Sequence, residues 1–253
     1  YTTMLLWPHI ATSGNIVHLL ACTSSDEGYL YNGIHTALVY FRGTYNPETN
    51  EVTWEEPRPF GDLTSSQIAE FSGDSYEVAV NGDYVSMVNA SSWSDVILWK
   101  SSDGGKNFET KTIIKSPIEG TYSEATTLVL DTPYVVDGTC GIAVDANGKT
   151  HLSFGIMRVL NDEVADGSYS YFPGINGLLY WNEDMDPILE ADTDYLEPSH
   201  LDSLGYKLFY RLDLDGDDTA WFGKDLNFAK YGIPMVSTPQ LIVDGDNVYM
   251  IYT

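Results

Sequence analysis

Three aspartates near the C-terminal end of the chain are spaced as a cation-binding loop would space them. Asp213, Asp215 and Asp217 alternate around Gly216 in the segment LDLDGDD, which gathers the hard oxygen ligands that Ca²⁺ prefers. The segment is not an EF-hand, because Lys224 stands where the last glutamate of that loop would be. An acidic hairpin turn would use the same residues without a metal. Bound Ca²⁺ is therefore one of two interpretations of this loop.

Two histidines recur at one position of a repeated strand. His18 and His151 each follow a turn that contains glycine, and a ligand-binding interpretation would point both toward the centre of the molecule. Ser86 and Tyr249 occupy the equivalent place in two further copies, so the position accepts any side chain that packs or forms hydrogen bonds. We therefore expect a structural role for both histidines.

Motifs that would name a reaction are missing from the sequence. It has no G-x-S-x-G nucleophile elbow, no H-E-x-x-H zinc helix and no P-loop. Pairs of carboxylates suited to glycosidase chemistry are uninformative, because 37 acidic residues ensure that some lie close together. No residue can be assigned a catalytic role on these grounds.

The elements that must position these residues come from a unit that recurs four times. Each unit has an apolar strand, a turn containing glycine, a second strand and, in the first three copies, a third apolar strand. Asn81-Gly82 and Asn147-Gly148 are strong signals for tight turns between paired strands. The equivalent positions 18, 86, 151 and 249 are 68, 65 and 98 residues apart. We therefore expect an insertion in the third unit, between about Asn182 and Val236.

The strands of these units predict an all-β fold, because they are rich in Val, Ile, Tyr, Phe and Trp and no long segment has a helical period. Repeated four-stranded antiparallel units are typical of a β-propeller, in which each blade covers a face of the next. We predict one propeller domain with blades at about 1–70, 71–135, 136–235 and, in part, 236–253; a β-sandwich is the alternative. About three and a half blades do not close a ring, so we expect further chain beyond Thr253 or a partner that supplies the remaining edge.

One turn in the second unit carries a specific motif. In SSDGGKNF, Ser101, Asp103, Gly105 and Phe108 fit the pattern S-x-D-x-G-x-x-F/W. In such a turn side-chain oxygens bond the backbone, the glycine takes a left-handed φ and the aromatic ring packs beneath. On these residues the chain resembles the sialidase-like propellers of BNR, or Asp-box, repeats. The resemblance implies a structural role for the four residues, because the box lies at the blade periphery in that family.

The resemblance also implies a test for enzyme activity. A sialidase of this family holds the substrate carboxylate with three arginines, one of them in an F/Y-R-I-P motif. The arginines of this sequence are Arg42, Arg58, Arg158 and Arg211, and none lies in that motif. We therefore favour a non-catalytic module that binds a protein or a glycan, with a carbohydrate-active enzyme as the alternative. An inward-facing cluster of several arginines, or an acid pair beside aromatic platforms such as Tyr180, Trp181 and Trp221, would favour the enzyme.

A strong acidic excess narrows the range of partners. Twelve basic residues against 37 acidic ones give a formal charge of −25, which repels nucleic acid and anionic membrane surfaces. No apolar run is long enough to cross a bilayer, so we expect no direct membrane insertion. Cys22 and Cys140 stand far apart within apolar strands, which predicts two buried thiols.

Short modification motifs favour an extracellular or cell-surface location. Residues 89–91 (NAS) form an N-glycosylation sequon, and residues 202–204 (DSL) and 218–220 (DTA) resemble an O-glycosylation consensus of some secreted bacterial proteins. We expect a secreted or surface-displayed bacterial protein. A structural part of a larger envelope or secretion assembly is a third interpretation, because an incomplete propeller leaves a blade edge for another chain to fill.

Overall fold

The computed structural model describes residues 5–23, 37–60, 73–92, 94–116, 133–160, 170–189, 195–213, 216 and 236–253. This part of the chain is almost entirely β-strand, arranged in four antiparallel sheets with one short helix. The all-β prediction is confirmed, and four separate sheets differ from the two packed sheets of a sandwich. Within these ranges no helix is long and apolar enough to cross a membrane.

The first two sheets are meanders in which consecutive strands pair. The first has the order β1-β2-β3-β4, with β5 also paired to β3, and the second has the order β6-β7-β8-β9. The strands are β1 (Leu5–Ser13), β2 (Ile16–Thr23), β3 (Leu38–Asn46), β4 (Glu51–Trp54), β5 (Arg58–Pro59), β6 (Tyr76–Asn81), β7 (Tyr84–Asn89), β8 (Val96–Ser101) and β9 (Glu109–Ile114).

The third sheet repeats the same order, and the fourth sheet is a single hairpin. The strands are β10 (Tyr134–Val144), β11 (Thr150–Leu160), β12 (Ser170–Asn182), β13 (Lys207–Asp213), β14 (Gln240–Asp244) and β15 (Asn247–Ile251). The segment predicted as an insertion contains β13 and the helix α1 (Pro198–Ser203). Proline suits the first turn of α1, which needs no donor there, and Leu201 anchors the helix in the core.

The sheets stack in chain order. The first strand of each sheet lies against the first strand of the next, β1 against β6, β6 against β10 and β10 against β14. One apolar core joins the first and second sheets and includes Leu20, Tyr76 and Trp99, while a larger one joins the second and third around Phe154 and Trp181. Each sheet thus buries a face against its neighbour. The described residues do not form a closed ring, and the division into blades stays a prediction.

Tight turns and two bulges set the direction of side chains in the first strands. Asn81 pairs with Tyr84, and Gly82 has a φ of +61°, which confirms the tight turn predicted there. The pairing of β1 with β2 shifts between Leu6 and His9, and that of β10 with β11 shifts between Val136 and Cys140. A bulge re-aims the residues around it, so these two irregularities decide what faces the space between the sheets.

Candidate functional site

A cleft of about 240 Å³ lies where the first strands of the four sheets approach each other. Most of its lining is polar. The lining residues belong to β1, β6 and β10, to the residue two positions before β6, and to the start of β14 and the segment that leads into it. We call this space the central cleft. It is lined by His9, Asp74, Glu77, Thr139, Cys140, Thr238, Pro239 and Gln240.

An imidazole and a carboxylate from neighbouring sheets meet in the central cleft. Nδ1 of His9 lies 2.8 Å from Oε1 of Glu77, and its Nε2 lies 2.9 Å from the carbonyl oxygen of Gly73. Burial alone would lower the pKa of His9, but the hydrogen bond and charge of Glu77 raise it above the usual value, aided by Gly73 and Asp74. The pair ties β1 to β6 and keeps a carboxylate in the cleft.

The bulge in β1 presents a tryptophan beside the central cleft. Trp7 has a φ of +47°, a left-handed conformation that bulky residues avoid, and its side chain is 53% exposed. The hydroxyl of Tyr76 donates a hydrogen bond of 2.6 Å to the Trp7 carbonyl and so holds this conformation. A Cβ on Gly73 would lie 2.7 Å from Cγ of Trp7, so the ring rests directly on the Gly73 backbone.

The cysteine of the central cleft is poorly suited to nucleophilic chemistry. Cys140 is buried as a thiol, and burial raises its pKa well above the usual value, with the charges of Glu77 and Asp137 adding to the effect. Its Sγ lies 3.9 Å from the carbonyl oxygen of Asp74. Cys22 is also buried as a thiol, as the sequence predicts for both cysteines.

A buried carboxylate lies in the bulge of β10, next to the cleft residue Thr139. Oδ1 of Asp137 accepts hydrogen bonds from the backbone N–H of Thr139 at 2.7 Å and from its hydroxyl at 2.9 Å. Oδ2 has no hydrogen-bond partner among the described residues and lies 1.7 Å from the place a Cβ on Gly155 would take. Burial raises the pKa of Asp137 to about 7, against the lowering effect of the Thr139 hydrogen bonds.

The turn predicted as an Asp box has a dense set of internal hydrogen bonds. The backbone N–H of Gly105 donates to Oγ of Ser101 at 3.0 Å, and that hydroxyl donates to Oδ1 of Asp103 at 2.7 Å. Oδ1 of Asp103 also accepts from the backbone N–H groups of Lys106 and Asn107, and Oδ2 accepts from the Asn107 amide. These bonds, led by those from Asn107, hold the pKa of Asp103 far below its usual range.

The same turn packs against the first sheet. Gly105 has a φ of +82°, and a Cβ on it would lie 2.0 Å from the Tyr40 hydroxyl. Phe108 meets the Tyr40 ring edge-on, with centroids 5.1 Å apart, and Nε of Arg42 donates to the Gly104 carbonyl at 2.7 Å. We call this region, turn 101–108 with its partners on the first sheet, the Asp-box contact. It fastens the outer hairpin of the second sheet to the first.

A second cavity, of about 280 Å³, opens beside the Asp-box contact, and three of its four charged groups, Lys100, Asp103 and Glu183, are already engaged. Nζ of Lys100 donates to Glu183 at 2.5 Å, and the same carboxylate oxygen accepts from the backbone N–H of Thr150 at 2.7 Å. Asp103 is occupied within its own turn. Although this cavity is slightly larger, the central cleft has the stronger case as a ligand site, because the first strands of four sheets contribute to it.

The four arginines serve contacts outside the central cleft. Arg42 pairs with Glu55 and the Gly104 carbonyl, and Arg58 donates to the Lys106 carbonyl at the same end of the molecule. Arg158 binds Glu197 through two hydrogen bonds of 2.8 and 3.0 Å and stacks over Tyr134, while Arg211 lies on the outer strand β13. The lining that the structure describes for the cleft therefore includes no arginine.

Both repeated histidines are buried against a tyrosine of the next strand. Nδ1 of His18 lies 2.7 Å from the Tyr40 hydroxyl, and Nδ1 of His151 lies 2.6 Å from the Tyr180 hydroxyl. Burial, with the charge of Arg42, lowers the pKa of His18 to about 4, and burial also lowers that of His151. Neither lines the central cleft, and their neutral, hydrogen-bonded state suits the structural role expected for them.

The aspartate loop falls mostly outside the described residues. Asp213 ends β13, and its Oδ1 accepts a hydrogen bond of 2.9 Å from the backbone N–H of Gly216. Asp215 and Asp217 lie outside the described part, and within that part no group of three metal-ligating side chains converges. The Ca²⁺ site therefore stays a prediction.

Other residues singled out in the sequence stand away from the central cleft. Trp181 is fully buried in the core, Tyr180 contacts His151, and Trp221 lies outside the described residues. Asn89 is fully buried and accepts a hydrogen bond from Ser91, so in the folded protein its amide is inaccessible to a glycosyl transferase. The sequon therefore gives no support to an extracellular location.

The lining of the cleft could not be read from the repeat. His9, Asp74 and Glu77 share no motif, and Trp7 stands in an apolar segment near the start of the chain. Their only sequence signal is a place in or just before the first strand of a unit, which the bulges then modify.

No model of a known protein family matches this chain, and no curated protein matches it. A Trypanosoma rangeli sialidase in complex with sialic acid is similar, with 11% identity and a TM-score of 0.39 over 97% of this chain and 33% of that one. A GH43 protein from Bacillus licheniformis has 10% identity and a TM-score of 0.31 over 72% of this chain and 42% of that one. The chain thus spans less than half the length of either. TM-scores this low do not establish a shared fold or function.

Proposed function

We propose that this chain is part of a secreted or surface-displayed bacterial β-propeller that binds a protein or glycan ligand without turning it over. The observation that supports this function most directly is the central cleft, to which the first strands of all four stacked sheets contribute. Propellers place ligands where their blades converge, because the loops and strand ends of several blades meet there.

The placement of the charged groups favours binding over sialidase chemistry. The described arginines are committed elsewhere, so a substrate carboxylate would meet Asp74 and Glu77 rather than guanidinium groups. The thiol of Cys140 is held in its protonated form. What remains in the cleft is a set of hydrogen-bonding groups suited to recognition.

A variant that fills the cleft tests this proposal. Gln240 lines the central cleft at the start of β14, and Ile242 is 51% exposed on the same strand but does not line it. We expect Gln240→Trp to abolish binding on glycan and peptide arrays, because the indole would occupy much of 240 Å³, and Ile242→Trp to leave it intact. A ligand bound equally by both variants would place the binding site elsewhere.

A glycoside hydrolase is the second candidate, and the two carboxylates of the cleft favour it. Asp74 and Glu77 both line the space, and paired carboxylates are what glycoside hydrolysis requires. A screen with aryl glycosides decides between the two functions. Turnover that Asp74→Asn and Glu77→Gln both abolish would replace the binding proposal with the enzyme.

Two accompanying proposals concern calcium and assembly. Asp213, Asp215 and Asp217 would hold Ca²⁺, and calcium should then raise the unfolding temperature of the protein but not of an Asp217→Asn variant. In a larger envelope assembly, a partner strand would pair with β15, which among the described strands is bonded only to β14. Fractionation of the native host, followed by crosslinking, tests both the location and the assembly.

A further inference from the structure

We propose that the central cleft receives the basic side chain of a lysine or arginine from a protein ligand, with Trp7 contacting the cation at its rim. This inference rests on the proposed binding function and selects a protein ligand over a glycan. It assigns a recognition role to Trp7 and Asp74, two residues that the fold does not need for its core.

The charge around the central cleft favours a cation. Asp74 is exposed and Glu77 half-buried, and the described lining includes neither lysine nor arginine. Glu77 is partly balanced by His9, which leaves Asp74 as the carboxylate open to a ligand. The formal charge of −25 adds a long-range attraction for basic segments and a repulsion for acidic glycans.

The position of Trp7 supplies the second element of a cation site. Its ring rests on Gly73, whose carbonyl binds His9 and whose next residue is Asp74. Tryptophan has the most favourable ring face for a cation among the aromatic residues. The exposed indole of Trp7 and the carboxylate of Asp74 therefore flank Gly73, and both are placed to contact a single guanidinium or ammonium group.

The size of the cleft limits what can enter. About 240 Å³ is below the range of roughly 300–1,000 Å³ that pockets for drug-sized molecules occupy, so a single side chain is enough to fill it. Gln240, which is exposed at the cleft, adds an amide oxygen that can accept a remaining N–H bond of a guanidinium.

A pair of peptides that differ only in charge tests the inference on the whole chain. Acetyl-Gly-Arg-Gly-amide and its citrulline analogue have nearly the same shape, and both can be titrated by NMR or tryptophan fluorescence. We expect the arginine peptide to bind about ten-fold more tightly, because the ion pair and the cation–π contact each account for a few-fold. Raising the salt concentration should weaken the arginine peptide selectively.

Variants of Trp7 and Asp74 test whether these two residues cause the preference for the arginine peptide. Trp7→Asn keeps a residue that tolerates left-handed φ, so the fold is retained while the ring is lost, and Asp74→Asn removes only the charge. Each should weaken arginine binding by about two- to five-fold and leave the citrulline peptide unchanged. The matched controls are Trp54→Asn, which removes an indole that is 45% exposed on β4, and Asp246→Asn in the β14–β15 turn.

The outcomes separate this inference from the proposed function. Equal binding of the two peptides, no binding of either, or an arginine preference that survives both variants would overturn the basic-ligand assignment. The proposed function would still stand if Gln240→Trp blocked the binding of a neutral glycan. The proposed binding function would also be wrong if Gln240→Trp weakened the binding of no ligand.

Discussion

The Asp-box contact and the central cleft both join neighbouring sheets, but they do so in opposite ways. In the Asp-box contact, Ser101 and Asp103 bond the turn backbone, and Arg42 bonds the turn across to the first sheet. Beside the cleft, Trp7 has a left-handed φ, and Asp137 is a buried acid whose Oδ2 has no hydrogen-bond partner among the described residues. Local strain lowers stability, and two of the three described non-glycine residues with a left-handed φ, Trp7 and Thr238, lie beside or in the cleft, which favours a functional role for this region.

The largest expected effect concerns Asp137, which should make the molecule less stable at high pH. Its pKa in the folded state, about 7, is above the usual value of 3.8. Between these values the folded state holds a proton that the unfolded state has lost, so its stability is full below about pH 4 and falls as pH rises toward 7. About three pH units correspond to about 4 kcal/mol.

The measurement is urea unfolding from pH 4 to pH 8, for the native chain and for Asp137→Asn. The asparagine cannot titrate, so the difference in free energy of unfolding between the two proteins should change by about 4 kcal/mol over this range. Because other carboxylates titrate in both proteins, only this difference is diagnostic. Parallel curves would show that Asp137 is solvated in the folded state, and the contrast with the Asp-box contact would weaken.

The next effect tests the tightness of the Asp-box contact. Gly105→Ala puts a methyl group 2.0 Å from the Tyr40 hydroxyl and also forces alanine into left-handed φ. The two penalties together should lower the free energy of unfolding by about 3 kcal/mol. Gly82→Ala is the matched control, because Gly82 has a φ of +61° with nothing within 4 Å and should lose only about 1 kcal/mol. Equal losses would mean that the turn moves away from Tyr40 at little cost.

The two regions also differ in how far the sequence predicts them. Turn 101–108 is local, so the types and spacing of Ser101, Asp103, Gly105 and Phe108 are enough to indicate its internal bonds. The repeat indicates strands and tight turns for the same reason, and the order of stacking follows from repeated units that each cover a face of the next. That Gly105 packs on Tyr40 depends on how two sheets meet, which no local pattern encodes.

The central cleft depends on register, which sequence patterns specify poorly around bulges. A bulge reverses the side on which following residues point, and the one between Leu6 and His9 decides that His9 faces Glu77. The irregularity between Val136 and Cys140 adds two residues to β10, so the alternation is the same after it, but Asp137 lies within it, where no repeat predicts the direction of its side chain. The recurring histidines lie on second strands, while the cleft is formed largely by first strands.

The smallest effect separates charge from packing in the cleft. Because Glu77 raises the pKa of His9, the pair should stabilise the fold fully below the usual histidine pKa of 6.5 and lose that contribution as pH rises through the folded value. Glu77→Gln should therefore cost up to about 1 kcal/mol at pH 5.5 and less at pH 9, since both side chains are partly exposed. Glu51→Gln, on the exposed strand β4, should have no effect at either pH. An equal loss at both pH values would show that the pair is held by a hydrogen bond to neutral His9, and His9 would then leave the negative charge around the cleft unbalanced.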